Sequence, residues 1–411
     1  MKIQFFTVAL VLVVAFVLFR LNRTAEPESQ ILADVGAEIE VVICSATSAR
    51  TSSLRNSELV ANIVNGLPDS VQVLLLVSDR ASFETNSGNN RVKFIELPKK
   101  TDISIWPQDP FIVVGTPDHK KLITPCVFDR EDDHIMPIGL GEMLDIPVIR
   151  SELHFEGGNI VSGEEAVFIG FNTIAINSKL LEVDAAVIRS KFQKLFGRRV
   201  IVVGEEQQEV THIDLVFTPL PGNRIAIADS RLGASLMQNL LDNNPEEMAS
   251  FEQQAENNFF GRADITELAD QLGNSIVRPA VVGKAQENIK ASIAAGDQLD
   301  AIAQQMSEAG YEVERVPALV PDLTLQRKQS GKEKTNYPFL TYNNVLLEER
   351  NGTSVVYLPQ FDCPTLDNAA AERWAEMGFK VKTISGFSTS AMYGGALRCC
   401  TKVLLRKPSS K

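Results

Sequence analysis

Four short segments of this 411-residue chain carry side chains able to do covalent chemistry. The stretch Tyr393-Gly394-Gly395-Ala396-Leu397-Arg398-Cys399-Cys400-Thr401 brings a glycine-rich approach to two adjacent thiols. A thiolate, not a thiol, attacks carbon, so a catalytic cysteine here needs a nearby cation, either protonated His212 or a cationic substrate. Such a cysteine would label first at mildly acidic pH, and Cys400 competes with Cys399 for the role; adjacent cysteines also serve as small buried hydrophobes. In Thr211-His212-Ile213-Asp214, extended backbone would point His212 and Asp214 to one face. An imidazole able to move protons and a carboxylate able to hold a cation would then line one pocket. A structural histidine beside an aspartate is the alternative, as is a metal site, though no further ligand stands at familiar spacing. In His154-Phe155-Glu156-Gly157-Gly158-Asn159 the paired glycines let backbone approach a ligand closely and could aim Glu156 into a cavity; a plain glycine turn is equally open. In Trp106-Pro107-Gln108-Asp109-Pro110-Phe111, Asp109 sits in proline-limited backbone where it could accept two hydrogen bonds from a planar guanidinium, or simply make a turn.

Taken together, carboxylates, one histidine and one cysteine are the set that hydrolyses a guanidinium group. The carboxylates bind the cation, the cysteine adds to its central carbon, and the histidine protonates departing ammonia and then activates water. No metal or cofactor is needed for those steps.

The elements that must position these residues alternate between short apolar runs and helical stretches. Strands are expected at Ile39 to Cys44, Val71 to Val77, Pro110 to Val114, Ala166 to Gly170, Arg199 to Val203 and Arg224 to Ala228. Further strands are expected at Gly310 to Val316, Asn344 to Leu347, Val355 to Leu358 and Lys380 to Ile384. Helices are expected at Ser53 to Val64, Asp184 to Phe196, Ala234 to Leu241 and Leu366 to Met377, which makes the class α/β. No Gly-x-Gly-x-x-Gly turn or Walker lysine loop follows a strand, so nucleotide binding gets no support. The polar stretch from Asp242 to Arg278 reads as a lid-like insertion, and Gln326 to Asn336 as an exposed loop able to gate a site.

Composition narrows the partners. Acidic residues outnumber basic ones by 52 to 40, for a formal charge of −12, which excludes the basic footprint of a nucleic-acid binder and suits a cationic substrate. Five cysteines are too few for a disulfide scaffold, and their odd number leaves a free thiol. An apolar run from Phe5 to Phe19, preceded by Lys2 and closed by Arg20 and Arg23, reads as an export signal or uncleaved membrane anchor over residues 1–23. Residues 24–36 then read as a linker and 37–411 as the catalytic body, lying outside the cytoplasm and held at the membrane if the segment is uncleaved.

These segments, in their chain order, resemble the pentein superfamily of guanidine-modifying enzymes. THIDLVFTPL is similar to the His-x-Asp segment of arginine deiminases, and FEGGN to their Glu-Gly-Gly segment. WPQDPF is similar to the protein-arginine deiminases, because arginine deiminases usually carry Arg where Gln108 stands. ALRCCTKVLL is similar to the C-terminal catalytic motif, its paired cysteines resembling those of dimethylarginine hydrolases, where the first attacks. The resemblance implies an α/β propeller of five pseudo-symmetric repeats around a central active site. It implies Cys399 as nucleophile, His212 as acid/base, Asp109 and Asp214 as guanidinium ligands, and Glu156, Trp106 and Asn159 against the substrate. Calcium enters only through the protein-arginine deiminase likeness. Arg398 stands where His commonly precedes the cysteine, and Gly394 where arginine deiminases place an Arg for the substrate carboxylate, which argues against free arginine. The expected reaction is conversion of peptidyl-arginine to its ureido form with release of ammonia. Agmatine, free arginine or a methylarginine are the alternative substrates, and an amidinotransferase or a noncatalytic binding protein the alternative functions.

Overall fold

The computed structural model describes residues 30–46, 53–78, 91–116, 119–130, 132–205, 208, 210–258, 281–321 and 337–407. The expected leader at 1–23, residues 24–29 of the linker, the second half of the insertion and the loop at 326–336 lie outside the described residues. Residues 30–36, expected as linker, belong instead to the folded body, with β1 paired to β5 and Asp34 ion-paired with Arg398. Among the described residues, no helix is long and apolar enough to cross a membrane.

The chain opens with β1 (Gln30–Ile31) and β2 (Ile39–Ala46), then runs through helix Ser53–Gly66 to β3 (Gln72–Val77) and β4 (Val92–Glu96). Next come β5 (Ile112–Gly115), β6 (Lys120–Thr124), helix Met136–Leu144 and β7 (Val148–Arg150). Strands β8 (Ile160–Ser162) and β9 (Ala166–Gly170) are followed by helices Phe171–Leu181 and Ala185–Phe196 and by β10 (Arg199–Val203). Strands β11 (Phe217–Leu220) and β12 (Arg224–Asp229) lead through helices Ser230–Asn243, Pro245–Asn258 and Ala285–Glu308 to β13 (Glu312–Leu319) and β14 (Leu340–Thr341). Last come β15 (Leu346–Arg350), β16 (Thr353–Pro359), helix Pro364–Glu376, β17 (Lys380–Ile384) and β18 (Lys402–Arg406).

One unit recurs through this order: two antiparallel strands, a helical crossover, and a third strand parallel to the second. It is seen in β5-β6-β7, β8-β9-β10, β11-β12-β13 and β15-β16-β17. A fifth is assembled from both ends of the described chain, because β18 pairs antiparallel with β2, which is parallel to β3. The described strands thus form five separate sheets in a mixed α/β fold. Local chemistry explains the turns: Asn351 and Gly352 both have positive φ, as a two-residue hairpin between β15 and β16 requires. Asp229 caps its helix by accepting from the backbone N–H of Leu232 at 2.8 Å, and Gly197 ends helix Ala185–Phe196 in the left-handed region.

Strands β2 and β3 are covered on both faces, which is why they read as unbroken apolar runs. Beside them, Trp374, Tyr342 and Phe361 fill the largest core cluster. The two ends of the described chain are tied together: the Arg406 guanidinium donates to the carbonyls of Ala37 and Leu347, each at 2.8 Å.

The expected strand at Ala166 to Gly170 and those at Arg199 to Val203 and Lys380 to Ile384 have the bounds seen in the fold. Several other bounds shift by a few residues, and two differences bear on the site. The strand placed from Asn344 begins only at Leu346, leaving Asn344 in the loop ahead of it. Residues Ile213–Leu215 form a 3₁₀ turn after an extended His212, so His212 and Asp214 do not share the face of a strand.

Candidate functional site

The repeated unit gathers the chemistry. Just ahead of the first strand of each antiparallel pair lies a polar side chain: Asp109 before β5, Glu156 before β8, His212 and Asp214 before β11, Asn344 before β15 and Cys399 before β18. Residues distant in sequence meet because each occupies the same place in its own sheet.

Asp109, Glu156, His212, Cys399 and Trp106 line one cavity of about 280 Å³, with Arg130 at its charged end and Leu215, Phe339 and Tyr393 on its apolar walls. Asp109 is buried; one carboxylate oxygen accepts from the Gly158 N–H at 2.9 Å, the other from Arg130 at 2.8 Å. Glu156, a third exposed, hydrogen-bonds the Nε2 of His212, whose Nδ1 lies 3.8 Å from Asp109. Both glycines of the expected ligand-approaching pair are needed against the protein itself. A side chain at Gly157 would strike the Gln108 carbonyl, and one at Gly158 would strike the His212 ring. Gly395 has the same role against the Trp106 ring, which is how Trp106 reaches the cavity wall.

Charge decides the protonation of this end. Burial would push the His212 pKa down, but the carboxylates of Asp109, Glu156 and Asp214 outweigh it and raise it to about 9. Burial raises Asp109 and Glu156, yet the imidazolium and Arg130 leave both below their ordinary values. At neutral pH, therefore, His212 is an imidazolium held between two carboxylates. Because its folded pKa lies above the ordinary 6.5, this protonation stabilises the fold fully below about pH 6.5, and the contribution is lost as pH rises through about 9. Glu156→Gln removes one of the raising carboxylates. It is expected to lower the His212 titration midpoint by about one unit or more, followed by NMR of the histidine ring, and to shrink the pH 6.5 to 9 stabilising window.

Cys399 closes the opposite side. It is only 3% exposed, and burial together with Asp214 and Asp109 pushes its thiol well above the ordinary value, so the resting sulfur is a thiol. The depressed resting pKa expected for it is absent, because burial and the neighbouring carboxylates act on the sulfur and no cation is among the described groups that shift it. Cys400, its competitor, is packed into the main core beside Cys44 and away from the cavity lining.

Two expected ligands are placed elsewhere. Asp214 is fully buried behind Cys399, 3.7 Å from the sulfur, and its carboxylate accepts from the buried Arg398 guanidinium at 2.7 Å. Asp214 thus sits beneath the Cys399 sulfur rather than on the cavity wall. Asn159 does not line the cavity either: its side-chain oxygen accepts from the Ile213 N–H at 3.1 Å and from Gln208 at 2.8 Å, and its amide donates to Thr173 at 2.7 Å. Its work is to hold the turn that presents His212.

Arg130 and Asn344 were not among the expected residues. Arg130 also reaches Asp133 at 3.3 Å and lies over the Phe128 ring, a polar-loop arginine with no motif around it. Asn344 accepts from the Cys399 N–H and donates toward its sulfur. Asp109, Glu156 and His212 could also offer three ligand atoms to a metal ion, all within 4.8 Å of one another, in competition with the pairings just described.

No family model and no curated protein matches the chain in sequence. Solved structures match it over most of its length. An agmatine deiminase of C. jejuni superposes with a TM-score of 0.56 at 14% identity, covering 91% of this chain and 95% of that one. An agmatine deiminase of Enterococcus faecalis gives the same TM-score, identity and coverage. A structure provisionally assigned as a peptidyl-arginine deiminase gives a TM-score of 0.57 at 14% identity, over 93% of this chain and all of that one. At such identities the likeness is one of architecture: the chain shares the mixed α/β fold of these deiminase structures.

Proposed function

We propose that this chain hydrolyses the guanidinium group of a small alkylguanidine, with agmatine the leading substrate, to a ureido group and ammonia. The observation that carries this is the shared cavity, in which the Cys399 sulfur faces an end built from Asp109, Glu156 and the His212 imidazolium. The guanidinium docks on the carboxylates, and its charge lowers the Cys399 pKa so that the thiol releases its proton to solvent and becomes a thiolate. The sulfur adds to the central carbon, His212 gives its proton to the departing nitrogen, and ammonia leaves an amidine carbon bound to sulfur. Neutral His212 then takes a proton from water, the hydroxide adds to that carbon, and the thiolate departs with release of the ureido product. His212 starts as the acid because its pKa is raised, and no cofactor enters.

Small guanidines take the place of peptidyl-arginine as the leading substrate. The neighbours superposing above a TM-score of 0.5 are mostly agmatine deiminases, and a cavity of about 280 Å³ suits a small ligand. The five sheets belong to this reading as five pseudo-symmetric repeats around the site, each delivering a polar residue from the same position. Residues 1–23 belong to it as an export signal or anchor, and the catalytic body begins by Gln30, where β1 joins β5, rather than at the expected residue 37. The full chain is then expected outside the cytoplasm or with membranes on cell fractionation, and a chain lacking 1–23 in the soluble cytoplasmic fraction.

Ammonia release from agmatine, free arginine and a peptidyl-arginine, measured side by side, tests the function. Agmatine is expected to be turned over at the highest kcat/KM. Faster release from peptidyl-arginine would reverse the substrate assignment, and no release from any of the three would remove the hydrolase reading.

A further inference from the structure

Among the described side chains, Asn344 donates to the sulfur of Cys399, beside a backbone hydrogen bond from Ala396. The Asn344 side-chain amide lies 3.1 Å from the sulfur, and the side-chain oxygen of Asn344 accepts from the Cys399 backbone N–H at 3.0 Å. That second bond fixes the orientation of the amide: with the oxygen held by an N–H, the NH₂ must be the end that faces sulfur. The same NH₂ also reaches the Asp214 carbonyl at 3.3 Å, and the Asn344 carbonyl accepts from the Arg398 N–H at 3.3 Å, so Asn344 is pinned at both its side chain and its backbone. It is fully buried. On the other side of the sulfur stands the Asp214 carboxylate at 3.7 Å, a charge that opposes a thiolate, and Arg398 sits on that carboxylate.

We propose that Asn344 is a further catalytic residue of this site, its amide donating to the Cys399 thiolate, and that Arg398 is the positioning residue that holds Asp214 and offsets its charge beside the sulfur. The proposal rests on the reading of Cys399 as nucleophile. An anionic sulfur is a stronger acceptor than a thiol, so this hydrogen bond strengthens as the proton leaves, while the Asp214 repulsion is partly cancelled by the arginine behind it. Asn344 stands just ahead of the first strand of the β15-β16-β17 sheet, the chain position that Asp109, Glu156 and Asp214 hold in other sheets, and like Asp214 it lies behind the sulfur rather than on the cavity wall. An amide is the group this place calls for, since a further carboxylate would oppose the thiolate and an apolar side chain would leave it without a side-chain donor, with only the Ala396 backbone hydrogen bond remaining.

The test compares the full chain with Asn344→Ala and Asn344→Asp, following alkylation of Cys399 by iodoacetamide at pH 8, resolved from Cys400 by peptide fragmentation. Asn344→Ala is expected to slow Cys399 alkylation about tenfold. Asn344→Asp, which keeps the acceptor for the Cys399 N–H but turns a carboxylate toward sulfur, is expected to slow it further. In Asn344→Ala, kcat for ammonia release should fall at least as much while KM stays within about twofold; a merely structural asparagine would leave the alkylation rate of the folded variant unmoved. Alkylation at the unaltered rate in either variant with an intact melting transition overturns the proposal. If neither variant folds, the Asn344 side-chain amide resonances of the unaltered chain decide: they should move as the Cys399 thiol titrates, and a flat response overturns it. Alkylation needs no substrate, so a chain that shows the slowing but releases no ammonia keeps the hydrogen bond from Asn344 to sulfur but removes the functional reading, and with it the catalytic role.

Discussion

Cys399→Ala is expected to reduce ammonia release from agmatine by about 10⁴-fold or more, to the level of the uncatalysed reaction plus whatever binding alone supplies. The size follows from the order of events. Among the other cavity side chains, Asp109 and Glu156 are occupied by cations, His212 begins as an imidazolium, and Thr211 and Tyr393 offer only hydroxyls, so the Cys399 sulfur is the strongest nucleophile there. Removing the sulfur removes the first covalent step, not an aid to it. Binding should survive, because the carboxylate end is untouched, so agmatine should still protect the variant against thermal unfolding. Cys400→Ala is the matched control. That thiol lies in the core beside Cys44 and off the cavity wall, so its removal should lower the melting temperature slightly and leave turnover within about twofold. Equal losses in both variants would place the reaction elsewhere.

His212→Gln is expected to lower kcat by about 10² to 10⁴-fold, the range for loss of a positioned general acid and base. Glutamine retains a hydrogen-bonding group toward Glu156 but can neither carry the proton to ammonia nor take one from water. The pH profile separates this from misplacement. In the unaltered chain, activity should fall on the alkaline side as His212 loses its proton near pH 9, and that limb should vanish in the variant. The variant also leaves Asp109 and Glu156 without the imidazolium between them. Asp109 keeps Arg130 and the Gly158 N–H, whereas Glu156 is a third exposed and can turn to water, so the fold should hold. A variant with unchanged kcat, or one that keeps the alkaline limb, would assign the proton transfer to another group.

The reactive half of this site was legible because its chemistry is written in residue types. Cys399, His212, Asp109 and Glu156 lie in segments with glycines or aromatics around them, and the structure brings all four to one cavity. Asn344 was not legible, for two physical reasons. Asparagine is an ordinary loop residue, and here it precedes an apolar run that reads as a strand starting from Asn344 itself. Its function exists only through contact with a cysteine 55 positions away, which no local pattern records. Arg130 fails the same way: its significance is its grip on Asp109, 21 positions upstream. The alternation argument for His212 and Asp214 met a 3₁₀ turn, which sent one residue to the cavity and the other beneath the sulfur. Among the elements, long apolar runs such as β2 and β10 were readable, whereas β1, β7 and β8 are too short for any period to show. Helix Ala285–Glu308, the longest described, was missed because its apolar positions are mostly small alanines amid polar residues.

The covalent step can be observed directly. When the full chain is mixed with agmatine and quenched in acid within a few turnovers, mass spectrometry should find a population heavier by the substrate less one ammonia. That added mass should map by fragmentation to Cys399 and be absent from Cys399→Ala. Ammonia released at full rate with no such adduct in His212→Gln, where its breakdown is slowest, or an adduct on Cys400 instead, would contradict the mechanism at its first bond.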